Sequence, residues 1–142
     1  LITQKEGERI ANIANLVADF LEDKGLGSRS NPNGWGIAVD NEPPSPPAPH
    51  TMITIYNTGG LPPLHSSMVR YPSVQVRVRG SPHSDGTEAY AKLEAIRNAL
   101  YNHAVKDGVV DGVWQVSDID RLGLDDSSRP IYFLNFRFQK EE

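Results

Sequence analysis

Met68-Val-Arg-Tyr-Pro-Ser-Val-Gln-Val-Arg-Val-Arg-Gly80 and, after a short polar turn, Thr87-Glu-Ala-Tyr-Ala-Lys-Leu-Glu-Ala-Ile-Arg-Asn-Ala-Leu-Tyr-Asn102 decide the fold. The first half alternates. Val74, Val76 and Val78 point one way; Ser73, Gln75, Arg77 and Arg79 point the other, the period of a strand buried on one face. The second half changes period. Tyr90, Leu93, Ile96, Leu100 and Ala104 form one stripe at helical spacing, with Glu88, Lys92, Glu94 and Asn98 facing away. Gly80 and Pro82 stop the strand. Asp85 is the expected N-cap of a helix over 85–104, with Glu88 closing a capping box. The unit is a strand, a tight connection and an amphipathic helix that folds back on the apolar face.

Working outward, residues 1–26 read as an N-terminal helix. Thr3 and Glu6 suit a capping box, Ile10, Ile13, Ala14, Val17, Phe20 and Leu21 share one face, and Gly25 and Gly27 end it. Trp35, Ile37 and Val39 alternate with Gly36 and Ala38, a short strand whose small residues admit a close neighbour. Met52–Asn57 is a second strand, expected to pair with the first as an antiparallel hairpin. Between them, residues 41–51 hold five prolines, which favour extended backbone and keep it out of a sheet interior. A second long loop spans 58–70, with Gly59-Gly60 and Pro62-Pro63. Val113–Leu122 predicts an irregular strand. Ile131–Phe138 predicts a regular one, with Tyr132, Leu134, Phe136 and Phe138 on one face and Phe133, Asn135 and Arg137 on the other. The expected fold is α+β: one domain over 1–142, a mainly antiparallel sheet of about five strands, and two amphipathic helices packed on one face.

Composition narrows the function. The 142 residues carry a formal net charge of -4 and no cysteine. A chain of this length buries about 70% of its unfolded surface, enough for a core without staples. The lack of cysteine removes disulfides and thiolate metal sites and suits a reducing compartment. The acidic balance argues against a general nucleic-acid coat, and no apolar run approaches the roughly 20 residues that span a bilayer.

Catalytic signals are weak. His50, His65, His83 and His103 show no metal-ligand spacing. Asp118, Asp120, Asp125 and Asp126 cluster in sequence but lack the glycine and distal glutamate of a calcium loop. No serine sits in a nucleophile elbow, and Gly59-Gly60 belongs to no phosphate-binding loop. The expectation is no catalytic residue, no cofactor and no metal. Arg77 and Arg79 project side by side, about 7 Å apart along one face of a strand. Guanidinium forks at that spacing suit carboxylates of a neighbouring subunit, with Asp118, Asp120, Asp125 or Asp126 as partners; the plain alternative is a solvated sheet face.

Tyr71-Pro72-Ser73-Val74-Gln75-Val76-Arg77-Val78-Arg79-Gly80, followed by a helix carrying Ala89, Tyr90, Ile96 and Leu100, resembles the tail-terminator and minor capsid (head–tail joining) proteins of long-tailed bacteriophages. The resemblance is clearest over 71–100 and extends more loosely to the first helix and last strand. It implies a structural virion protein without catalysis: a ring, typically a hexamer, that caps the head-proximal end of the tail tube, stops tube polymerisation and joins the tail to the head connector or its adaptor. It implies assembly in the host cytoplasm, a place at the head–tail junction, contact with tail-tube protein, no membrane, and a channel that passes DNA without specific binding. The expected subunit or partner interface takes Arg70, Arg77 and Arg79 from the strand, Asp118 and Asp120 from the acidic cluster, Pro44 and Pro47 from the first loop, and Leu61 and Pro63 from the second. Two other readings stand beside it: a head-completion or neck protein on the head side of the joint, and a small metal-dependent hydrolase using Asp118, Asp120 and His65.

Overall fold

A computed structural model describes residues 12–30, 34–43, 49–61 and 69–141. Helix α1 is Ile13–Asp23. Strand β1 is Gly36–Val39, β2 is Met52–Leu61 and β3 is Val69–Arg79. Helix α2 is Thr87–Ala99 and runs on into a π-helical turn, Leu100–Ala104. Strand β4 is Gly112–Gln115, β5 is Asp120–Leu124 and β6 is Pro130–Glu141.

The fold is α+β, with one mixed, mostly antiparallel six-stranded sheet. Its order is β1-β2-β3-β6-β4, and β5 pairs with β6 further along the same edge as β4. The central strand is the one the alternation picks out. Val76 lies opposite Ile55 on β2 and Leu134 on β6. Strands β3 and β4 are each antiparallel to β6, so they run parallel to one another, with β6 between them and α2 as their crossover. The expected strand over 113–122 is two strands separated by residues 116–119, which carry Val116 and Ser117 past Asn135.

One face of the sheet is core. Val74, Val76, Val78, Ile53, Ile55, Leu134, Phe136 and Phe138 are buried against Val17 and Leu21 of α1 and Leu93 and Ile96 of α2. Burial of each such side chain contributes roughly 1.5–3 kcal/mol. Tyr90 leaves the predicted stripe: it stays exposed and meets Tyr132 edge-on at 5.6 Å. Ala89 takes the buried position instead.

The helix ends follow local chemistry. Asn12 has extended backbone angles, and its side chain accepts from the N–H groups of Ala14 and Asn15. A helix unbroken from Leu1 is therefore interrupted there; Thr3, Glu6 and Ile10 lie outside the described residues. At the other end Leu26 N–H bonds Leu21 O and Gly25 N–H bonds Glu22 O, with Gly25 at φ 74°. That is a Schellman motif, which only a residue tolerant of left-handed backbone completes cheaply. At α2 the cap is Gly86, one residue later than expected; Asp85 still accepts from Thr87 N–H at 2.9 Å.

The expected β1–β2 hairpin is a parallel pair, with Ile37 opposite Ile53. A parallel pair needs a connection of about a dozen residues that returns the chain to the starting end. Residues 40–51 make that return, of which 40–43 and 49–51 are described. Its described ends lie on the sheet face opposite the helices, where the carbonyls of Pro43, Pro49 and His50 meet Arg79. A Cβ on Gly36 would stand 2.7 Å from Met52 Cε and 3.2 Å from Pro49 Cγ, so the glycine is what lets this strap close down. The second long loop is shorter than predicted. Thr58–Leu61 extend β2, Val69 and Arg70 begin β3, and the register shifts between Asn57 and Gly60.

Candidate functional site

The sheet face away from the helices is divided in two. Its β1–β2 end lies under the strap. There Arg79 is 2% exposed, and its guanidinium donates to three backbone carbonyls: Nε to His50 at 2.9 Å, Nη1 to Pro43 at 2.9 Å and Nη2 to Pro49 at 2.9 Å. Met52, Thr54 and Ile131 are buried at the same end. Burial lowers the Arg79 pKa, and the neighbouring Arg129 lowers it further against the pull of Glu42. Glu42 Oε1 stands 3.9 Å from Arg79 Nη1. Beside it Arg129, also buried, donates from Nε to Asp125 at 2.7 Å, and its Nη1 lies 3.4 Å from His50 Nδ1.

Arg79 therefore differs from its sequence neighbour in role. It occupies the expected face, but it is covered and its fork is engaged by the chain's own loop. Asp125, offered as a partner for the strand arginines, is taken by Arg129. Burial pushes the Asp125 carboxyl up, but hydrogen bonds from the backbone and guanidinium of Arg129 and the backbone of Ser127 outweigh it and hold its pKa below the ordinary range.

The rest of the face lies clear of the described ends of the strap, and its residues are partly exposed. A row of polar contacts crosses it. The Arg77 guanidinium sits 4.8 Å from the Tyr56 ring centre, and its Nε donates to Gln75 Oε1 at 2.6 Å. Gln75 Nε2 donates to Asn135 Oδ1 at 3.2 Å, and Asn135 Nδ2 to Ser117 Oγ at 3.2 Å. Around this row the register places Phe133 opposite Arg77, and Arg137 between Ser73 and Trp114. Tyr71 and Trp114 rings meet with centroids 6.5 Å apart. Arg137 Nε is buried with no hydrogen-bond partner among the described residues. Aromatic residues and arginine on one open patch are the composition of protein–protein contacts.

The adjoining edge is apolar and acidic. Trp114, Val116, Leu122 and Leu124 are 46%, 54%, 51% and 56% exposed. Asp118 and Asp120 turn back on their own backbone, accepting from the N–H groups of Ile119 and Arg121 at 2.8 Å each. The structure thus brings Arg77 and Asp120 onto one sheet and leaves them two strands apart, with Phe133 between. Arg70 sits at the start of β3, where an open cleft is lined by Asn12, Asn57 and Pro72. Pro44, Pro47, Pro63 and His65 lie outside the described residues, as does the side chain of Leu61. No group of three or more histidine, aspartate or glutamate side chains able to hold a metal occurs among the described residues.

Tyr56, Tyr71, Trp114, Phe133, Arg137, Leu122 and Leu124 are residues of this surface that the interface expectation did not include. For β6 the signal was present, since Phe133 and Arg137 alternate with a face that is already fully apolar. Leu122 and Leu124 carry no such signal, because a leucine in an irregular strand reads as core.

No helix among the described residues is long and apolar enough to cross a membrane. No curated protein matches the chain. A family model described as "Bacteriophage tail terminator protein" matches residues 20–142. Those residues include every strand of the sheet, all of α2 and the end of α1, and the chain belongs to the bacteriophage tail terminator protein family.

Proposed function

We propose that this protein forms a ring that caps the head-proximal end of the phage tail tube, stops tube growth and offers the surface on which the head connector docks. Membership of the family makes it a structural tail protein and a virion component. The observation that carries the finer reading is the family match over residues 20–142. The outer sheet face supports it: partly exposed aromatic side chains and two arginines share it, beside an edge of exposed aliphatic side chains. The acidic chain suits a passage for DNA, since carboxylates repel phosphates where arginine and lysine would hold them.

The test is tube capping. Purified protein is added to polymerising tail-tube protein of the same phage, and tube length and end structure are read by electron microscopy. Short tubes of defined length carrying an added ring at one end are expected. Tubes that elongate unchecked, together with binding to the portal or its adaptor, would transfer the protein to the head side of the joint.

A further inference from the structure

We propose that the open sheet face of one copy receives the β4–β5 edge of the next, in a head-to-tail contact that repeats around a ring; this rests on the assembly role proposed above. The two surfaces are complementary and belong to the same chain. The face is cationic and aromatic: Arg77 and Arg137 stand among Tyr56, Tyr71 and Phe133, and neither arginine has an ion-pair partner among the described residues. The edge is acidic and aliphatic: Val116, Leu122 and Leu124 are exposed, and Asp118, Asp120 and Asp126 outnumber the single cation Arg121.

Within one copy these charges do not meet. Arg77 and Asp120 flank Phe133 across three adjacent strands, about 10 Å apart at a spacing of roughly 5 Å per strand. A second copy laid edge-on brings carboxylates to the Arg77 and Arg137 side chains and covers the exposed leucines with aromatic rings. Arginine suits the receiving side, because its fork takes a carboxylate through two hydrogen bonds. A contact between two different patches of the same molecule is heterologous. Such contacts generate a closed ring when the rotation between copies closes, whereas a contact of one patch with itself stops at a pair.

A charge-swap experiment tests this. The face variant is Arg77→Glu with Arg137→Glu; the edge variant is Asp118→Lys with Asp120→Lys. Masses are read by sedimentation and native mass spectrometry, and tube capping is scored in parallel. Wild type is expected to self-associate, and each variant alone to do so at least about tenfold more weakly. Mixing the two variants restores the assembly with alternating copies, since each face then meets an edge of opposite charge. If either double variant fails to fold, Arg77→Glu and Asp120→Lys alone replace it. Variants that assemble like wild type overturn the proposal, as does a mixture that fails to recover. A monomeric wild type that still caps tubes overturns the contact and leaves the assigned role standing. Recovery on mixing without capping supports the contact and removes the role.

Discussion

Arg79 Nη1 donates to the carbonyl of Pro43 at 2.9 Å, tying the central strand to a residue thirty-six positions earlier. With its bonds to Pro49 and His50, the same guanidinium holds both described ends of the strap that connects the parallel strands β1 and β2. The bound groups are neutral carbonyls, so the fork's geometry matters more than its charge. Arg79→Met is expected to lower stability by about 2–3 kcal/mol, because hydrogen bonds from a buried charge are lost and three carbonyls are left to find water. Arg79→Lys recovers less than half, since one ammonium cannot reach three carbonyls in a plane. Urea unfolding measures both. A midpoint for Arg79→Met equal to wild type would mean that the strap holds without the arginine.

The strand β2 bends where Asn57 hands over to Gly60, and the two glycines there differ. Gly60 has φ 101°, and an added Cβ would stand 2.3 Å from the Tyr71 carbonyl oxygen and 2.7 Å from the Ser73 nitrogen. Gly59 has φ 86° and open space. Gly59→Ala therefore meets only the backbone penalty, about 1–2 kcal/mol, whereas Gly60→Ala adds a clash with the neighbouring strand and is expected to cost roughly 3 kcal/mol or more. Thermal melting of the two variants side by side reads the difference. Equal losses would place the bulge elsewhere.

Asp125 gives the acid limb of stability a defined contributor. Its pKa is lowered in the folded protein, so the folded state holds its proton less tightly than the unfolded chain does. The stabilisation is then fully present above the unfolded value of about 3.9 and is lost as pH falls through the lower folded value. Asp125→Asn removes this dependence. Its stability falls less steeply than that of wild type below about pH 4, and it is less stable than wild type at pH 7. Unfolding followed from pH 7 down to pH 2 checks the sign. Parallel curves for the two proteins would show that the Arg129 contact does not persist in solution.

The parts of the fold legible in the sequence were those encoded locally. The period of two in Val74, Val76 and Val78 and the period of 3.6 in Leu93, Ile96 and Leu100 each need only one element to be read, and both faces are buried as that reading requires. What escaped was set by chain routing. Nothing in Gly36–Val39 or Met52–Asn57 states whether they run parallel; the length of the proline-rich connection is the clue, because a hairpin does not need it. The same routing separates Arg77 from Arg79. Their pattern is identical, yet the strap lies over one and leaves the other beside Tyr56. Within one copy Asp118 and Asp120 each accept from the next N–H, a local turn that charge sign in the sequence does not reveal.

Val76 and Arg77 are adjacent and point to opposite faces, which makes them a direct test of strand orientation. Val76 has no exposed surface and lies between Ile55 and Leu134. Val76→Asp would place a carboxylate there with no acceptable partner, and an unpaired buried charge either unfolds the domain or forces protonation at heavy cost. A loss above about 4 kcal/mol is expected, enough to leave a domain of ordinary stability largely unfolded. Arg77→Ala gives up its contact with the Tyr56 ring and its bond to Gln75, on a face open to water, and is expected to change monomer stability by no more than about 1 kcal/mol. Circular dichroism and melting of both variants decide it. Soluble, cooperatively melting Val76→Asp would mean that the valine face is not the core, and an unfolded Arg77→Ala would mean that the open face is covered within the monomer.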